Sequence, residues 1–139
     1  GLGDVYKRQL YNRDRQTWVK SVTGSKPGTP EYTEEIRSAI SKAKAKTEQV
    51  VAFHNHPGSM PPSIEDINVS VQNGYAAGYV LCHDGTIYKY SAPKEAIART
   101  IYEMRVDSFK VEGYNEREAQ LMAMKYLSEY YDFVFKEVK

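Results

Sequence analysis

The sequence lacks the features that mark several specialised classes of protein. A single cysteine, Cys82, means that no disulfide can form within the chain, which fits a reducing compartment. No apolar run approaches the length of a membrane span, and the first residues contain no signal-peptide core. The net charge of +1 provides no overall field that would attract nucleic acid or an anionic membrane. We therefore predict a cytoplasmic protein with no membrane association.

What remains is the composition of an ordinary globular domain. The 139 residues are 41% hydrophobic and 27% charged, enough to bury a core without disulfides. The apolar patterns predict a hairpin over 10–24, then a helix, a strand, a helix, a hairpin and two helices. This order indicates an α/β fold, a small mixed sheet flanked by helices on both faces, with two extra C-terminal helices. We assign 10–90 to the main domain and 91–139 to a helical extension packed on it.

Local signals set the expected boundaries of the elements. A continuous apolar run predicts a buried strand at Gln49–His54, and Ser63 begins a helix that ends near Asn73. Ser91 is expected to cap the next helix, with Ala92 and Pro93 in its first turn. The final helix, rich in tyrosine and methionine, is interpreted as core or as an oligomer face, with a ligand groove as the alternative.

The first nine residues, GLGDVYKRQ, do not resemble the start of a domain. The string is similar to a translated sequencing-adapter remnant at the end of an assembled environmental read. We therefore interpret residues 1–9 as a non-native stretch that replaces the natural N-terminus. The alternative is a genuine strand around Val5 to Tyr11.

The most informative stretch is Val50 to Asp66, VVAFHNHPGSMPPSIED. Residues i and i+2 of a strand share a face, so His54 and His56 project together from the strand end and can reach one metal ion. A loop containing three prolines leads back to Asp66 in the first turn of the next helix. Two imidazoles and one carboxylate leave a fourth tetrahedral position for water, as in catalytic zinc sites.

Other polar residues in or near this stretch have competing interpretations. Ser63 is either a helix N-cap or, in addition, a donor to an oxyanion in catalysis. Glu65 is expected to favour the helix dipole rather than to act as a base. His83 is interpreted as a surface residue in a turn. Cys82 is interpreted as a small core residue rather than a nucleophile.

The motif His54-Asn55-His56-Pro57, followed by Pro62-Ser63-Ile64-Glu65-Asp66, resembles the signature of the JAB/MPN (JAMM) metalloproteases. It is most similar to the bacterial and phage branch, near RadC-like proteins. The loop between the second histidine and the serine is one residue shorter than is usual in the family. The resemblance covers roughly residues 10–90 and leaves out the C-terminal helices.

The resemblance implies a zinc-dependent hydrolase of peptide or isopeptide bonds, acting on a peptide or protein substrate. By it, His54, His56 and Asp66 would bind Zn²⁺, and Ser63 would be the catalytic residue that stabilises the oxyanion. The family also uses a glutamate as general base on an upstream strand. None of the glutamates before the motif has that placement, so we leave the base unassigned and expect it upstream of this chain.

Three functions follow as hypotheses. The first is an active JAMM-like zinc hydrolase. The second is a catalytically inactive JAB-like scaffold module of a phage or mobile element, which retains the fold or the metal. The third is a RadC-like protein of DNA metabolism, although the near-neutral charge gives a nucleic-acid partner no electrostatic support.

Overall fold

A computed structural model describes residues 6–24 and 34–139 as a six-stranded sheet with four helices. In chain order the elements are β1 Tyr6–Asn12, β2 Thr17–Gly24, α1 Glu34–Ala45, β3 Val50–His56, α2 Ile64–Asn73, β4 Ala77–Cys82, β5 Ile87–Tyr90, α3 Arg99–Val111, α4 Glu116–Tyr130 and β6 Phe135–Glu137. The predicted α/β class with a small mixed sheet is confirmed. Among the described residues, no helix is long and apolar enough to cross a membrane.

The strand order across the sheet is β2-β1-β3-β4-β5-β6. The central pair, β3 and β4, is parallel and is connected through α2, and the other neighbouring strands are antiparallel. The apolar β3 therefore lies inside the sheet, with a hydrogen-bonded strand on each side. Its carboxyl end, where the two histidines stand, meets the start of the crossover to α2.

Both hydrophobic clusters of the core lie on one face of this sheet. Leu10, Ala52, Gly78 and Tyr90 are successive cross-strand partners, and alternate residues of a strand share a face. The strand residues of the two clusters all belong to this face: Leu10, Val50, Ala52, Val80, Cys82, Tyr88 and Tyr90. All four helices contribute to the clusters. The expectation that helices flank both faces is therefore wrong for the described chain.

The opposite face of the sheet carries a row of aromatic rings. Trp18 contacts Tyr11, and the row continues through Phe53 to Tyr79, with successive ring centroids 4.7, 5.5 and 5.0 Å apart. Because Trp18 is 50% exposed, one end of this row is open to solvent.

The C-terminal half departs from the sequence prediction at two points. Helix α3 begins at Arg99 rather than after Ser91, because Ser91 pairs with the end of the chain. Its backbone N–H donates to the Val134 carbonyl, and its hydroxyl accepts from the Val134 N–H. Beyond this pairing the chain forms β6, a strand that was not predicted, along the free edge of β5.

The N-terminal stretch is described only in part. Residues 6–9 belong to β1, which pairs with both β2 and β3, as in the alternative that places a genuine strand here. Residues 1–5 lie outside the described chain. The predicted hairpin over 10–24 is present, with its turn between Asn12 and Thr17.

Candidate metal centre

The three predicted ligands meet at the carboxyl end of β3. His54 and His56 project from the core face of the strand, and Asp66 lies in the first turn of α2. The site is recessed: the His54 side chain is 2% exposed, that of Asp66 9% and that of His56 18%. His56 is therefore the most solvent-exposed of the three side chains.

The spacing of the ligand atoms suits a small tetrahedral ion. The Nε2 atoms of His54 and His56 are 3.1 Å apart. Asp66 Oδ1 lies 3.2 Å from His54 Nε2, and its Oδ2 lies 3.5 Å from His56 Nε2. Bonds of roughly 2.0–2.1 Å to a tetrahedral zinc ion place neighbouring ligand atoms about 3.3 Å apart. His54, His56 and Asp66 could therefore hold a metal ion.

The second nitrogen of His56 is held by the backbone. Its Nδ1 lies 2.8 Å from the carbonyl oxygen of Met60, which can only accept. Nδ1 therefore carries the hydrogen in the neutral ring, and Nε2 presents its lone pair to the other ligands. A metal-binding histidine is commonly oriented by such a contact. His54 Nδ1 is buried and has no hydrogen-bond partner within the described ranges.

Helix capping fixes the position of the carboxylate. The backbone N–H of Ser63 donates to Asp66 Oδ2 over 2.8 Å, and the Ser63 hydroxyl accepts from the Asp66 N–H over 3.2 Å. This reciprocal pair is a capping box, which satisfies two N-terminal donors of α2. The N-cap interpretation of Ser63 is confirmed. Its hydroxyl hydrogen is not used in this bond, so a second role as donor is compatible with the cap.

The electrostatics of the three ligands favour a charged carboxylate. Burial alone would raise the pKa of Asp66, but the charges of the two histidines and their hydrogen bonds hold this pKa well below its usual range. Burial lowers the pKa of His54. For His56, the hydrogen bond to Asp66 and the charge of Asp66 outweigh burial and raise the pKa.

Neither of the two glutamates nearest the motif in the sequence is placed to serve this centre as a base. Glu48 precedes β3 at its other end and pairs with Arg15. Glu65 points to Arg99. The residue of β1 that faces His54 is Arg8, whose side chain is 2% exposed. Its place beside the site depends on strand register, so the sequence offered no signal for it.

His83 and Cys82 occupy the positions that the sequence analysis favoured for them, on the surface and in the core. His83 is exposed in the turn between β4 and β5. Cys82 is 8% exposed and packs in the larger core cluster. Burial and the charge of Asp84 raise the pKa of its thiol to about 11. A thiol of this kind is a poor nucleophile at neutral pH.

Comparison of the chain with protein-family models, with curated proteins and with solved structures found no match.

Proposed function

We propose that the chain binds Zn²⁺ through His54, His56 and Asp66, and that this centre belongs to a hydrolase of peptide or isopeptide bonds. One observation carries the proposal: in a recessed, partly open site the two Nε2 atoms lie 3.1 Å apart, and each lies 3.2–3.5 Å from one oxygen of the Asp66 carboxylate. The resemblance of the motif to the JAMM signature supports the substrate class. The single thiol, Cys82, supports a reducing, cytoplasmic setting.

The donor set favours zinc over the other common divalent ions. Two imidazole nitrogens and one carboxylate oxygen are typical of zinc sites that keep one position open. Calcium and magnesium take oxygen ligands and larger coordination numbers, which these side chains do not supply. The Nδ1–H of His56, donated to Met60, keeps the ring nitrogen Nε2 available for the metal.

Each residue of the site has a distinct part in the proposed reaction. Zinc, when bound, supplies a Lewis acid that activates water and polarises a carbonyl group. Asp66, held by the capping box, contributes the negative charge that keeps a dication in place. Ser63 can donate its hydroxyl hydrogen to the carbonyl oxygen of a substrate while it caps α2.

Metal content tests the first half of the proposal. Protein incubated with zinc and then desalted is expected to retain about one zinc ion per chain by elemental analysis. His54→Ala and Asp66→Asn should abolish this retention. His83→Ala is the matched control, because the His83 side chain is exposed and alanine keeps the backbone N–H that donates to the His56 carbonyl. Equal zinc content in the wild type, the site variants and the control would refute the metal site.

Hydrolysis tests the second half. Zinc-loaded protein is incubated with a quenched fluorescent peptide library and with a lysine isopeptide substrate. Cleavage should disappear in His54→Ala and after chelation, and should persist in His83→Ala. Zinc binding without cleavage of either substrate, by the wild type and by an Arg8→Glu variant alike, would contradict the hydrolase and leave the metal site standing.

The position of Arg8 favours a second candidate function, that of an inactive metal-binding scaffold. A buried cation, rather than a carboxylate, faces His54 from β1. Arg8→Glu places a carboxylate at this position. Cleavage gained by this variant would favour the hydrolase, with a carboxylate at position 8 able to serve as its base. Cleavage absent from both proteins, with zinc bound in both, would favour the scaffold.

A further inference from the structure

Arg117, near the start of α4, reaches the loop that leads from the histidines to the capping serine. Its Nε donates to the carbonyl oxygen of Ser59 over 3.0 Å. Its Nη2 donates to the Tyr88 hydroxyl over 3.1 Å and lies 3.8 Å from a carboxylate oxygen of Asp84. One guanidinium therefore ties the C-terminal helix to the loop over 57–62 and to β5.

Ser59 has the least favourable backbone conformation in this loop. Its φ of 57° lies in the left-handed region, which residues other than glycine rarely adopt. Three contacts hold it in this conformation. Its N–H donates to the carbonyl of His56 over 2.9 Å, and its hydroxyl accepts from the Asp84 N–H over 3.0 Å. The third contact is the bond from Arg117.

The next peptide unit is the one that orients a metal ligand. The Met60 carbonyl accepts from His56 Nδ1 over 2.8 Å, and the Cys82 thiol donates to the same oxygen over 3.6 Å. The direction of the Met60 carbonyl depends on the backbone conformation at Ser59. The Arg117 guanidinium therefore acts on His56 indirectly, first through its bond to the Ser59 oxygen and then through the bond between the Met60 carbonyl and His56.

We propose that Arg117 is a positioning residue for the metal centre. It fixes the loop conformation in which the Met60 carbonyl selects the Nδ1–H form of His56, so that Nε2 faces the other ligands. The effect on metal affinity rests on the proposed function, whereas the effect on the histidine does not. Arginine suits the role because its planar fork makes two directed bonds at once. The C-terminal helices thereby contribute to a site whose ligands all lie before residue 67.

Arg117→Ala and Arg117→Gln test this role, and Arg105→Ala is the matched control. Arg105 also donates to a tyrosine hydroxyl, that of Tyr126, over 3.0 Å, but it does so between α3 and α4. Two measurements are needed. Zinc affinity is determined by competition with a chelating dye. The hydrogen position on His56 is read from the ring ¹⁵N shifts of metal-free protein, at a pH raised until these shifts stop changing and the imidazole is neutral.

Removal of a contact that orients a metal ligand typically weakens binding by 10–100-fold. We expect both Arg117 variants to bind zinc at least about tenfold more weakly than the wild type and to show a mixture of His56 tautomers. Arg105→Ala should match the wild type in both measurements. The glutamine variant keeps most of the stem, so it reports on the role if the alanine variant folds poorly.

The two measurements separate the possible failures. If the wild type binds no zinc, the proposed function fails, and the ¹⁵N shifts still test the effect on His56. Unchanged tautomers in a folded Arg117 variant would overturn the positioning role. Unchanged zinc affinity in such a variant, with the wild type binding zinc, would overturn it as well.

Discussion

Arg8 on β1 and His54 on β3 are directly opposite each other in the antiparallel ladder, and both side chains are almost completely buried. The positive charge of Arg8 contributes to lowering the pKa of His54, although burial is the larger cause. A cation that disfavours a proton on this imidazole also disfavours a metal cation bound to it. The centre therefore combines a favourable set of ligands with an unfavourable neighbouring charge.

Arg8→Gln should strengthen zinc binding. Removal of the like charge is expected to raise the affinity by roughly threefold to tenfold. Arg13→Gln is the control, since Arg13 lies at the other end of the strand pair, beside Gln49. Titration with a chelating dye measures both. Weaker binding by Arg8→Gln than by Arg13→Gln would show that Arg8 supports the site.

Acid should weaken zinc binding in a defined range of pH. The imidazoles must be neutral to bind metal. The pKa of His56 is raised above the usual value and that of His54 is lowered, so His56 alone takes up a proton first as the pH falls. Affinity should then fall by about tenfold per pH unit, the slope for one competing proton. Chelator competition at several pH values checks this, and an initial slope near a hundredfold per unit would contradict it.

Substitution of Ser63 should show how much its side chain stabilises the start of α2. Ser63→Ala removes the bond to the Asp66 N–H and should lower the free energy of unfolding by about 1 kcal/mol. Ser63→Gly also lacks the hydroxyl but should cost only a few tenths of a kcal/mol, since glycine is tolerated at N-caps. Urea unfolding of the metal-free proteins measures both. Equal stability of the alanine variant and the wild type would argue against the cap.

Cys82 should react slowly with thiol reagents in the folded protein. Its pKa is raised from 9.0 to about 11, first by burial and then by the charge of Asp84. This shift alone reduces the thiolate population at neutral pH by about a hundredfold. Reaction with an aromatic disulfide, followed by absorbance, should accelerate at least that much in urea. Similar rates in folded and unfolded protein would contradict this environment.

Gly78 should be intolerant of alanine. A Cβ atom at this position would stand 2.2 Å from Cζ of Tyr90, and Tyr90 is 1% exposed, so its ring has little room to move. Overpacking of this kind typically costs 1–3 kcal/mol. Gly58→Ala is the control, because the nearest atom to its Cβ, Met60 Cγ, is 4.0 Å away. Thermal unfolding should rank Gly78→Ala well below both the control and the wild type.

The grouping of His54, His56 and Asp66 could be predicted because their geometry is local. The i, i+2 spacing of His54 and His56 sets a common face in any strand, and Asp66 follows one loop later. Arg8 and Arg117 could not be found in this way. Arg8 reaches the site through the register of β1 against β3, and Arg117 is 58 residues from Ser59 in the chain. Contacts of this kind arise only after folding.

The start of α3 was predicted wrongly for a similar reason, a contact between residues that are distant in the chain. Ser91 and Pro93 carry local signals that predict a helix start. In the structure, backbone pairing with Val134 satisfies Ser91 instead, and the helix begins at Arg99 without a side-chain cap. The three residues of β6 are too few for a pattern of alternation. They form a strand because β5 offers an edge.

The pairing of β6 with β5 bears on which part of the chain could be exchanged or expressed alone. More than half of the buried residues of the larger cluster come from 91–139, and β6 covers the edge that β5 would otherwise present. A fragment ending at residue 90 would retain all three proposed metal ligands yet expose Tyr88, Tyr90 and an unpaired strand. A fragment that keeps this core and this sheet edge covered must therefore be longer than the motif and must extend to β6.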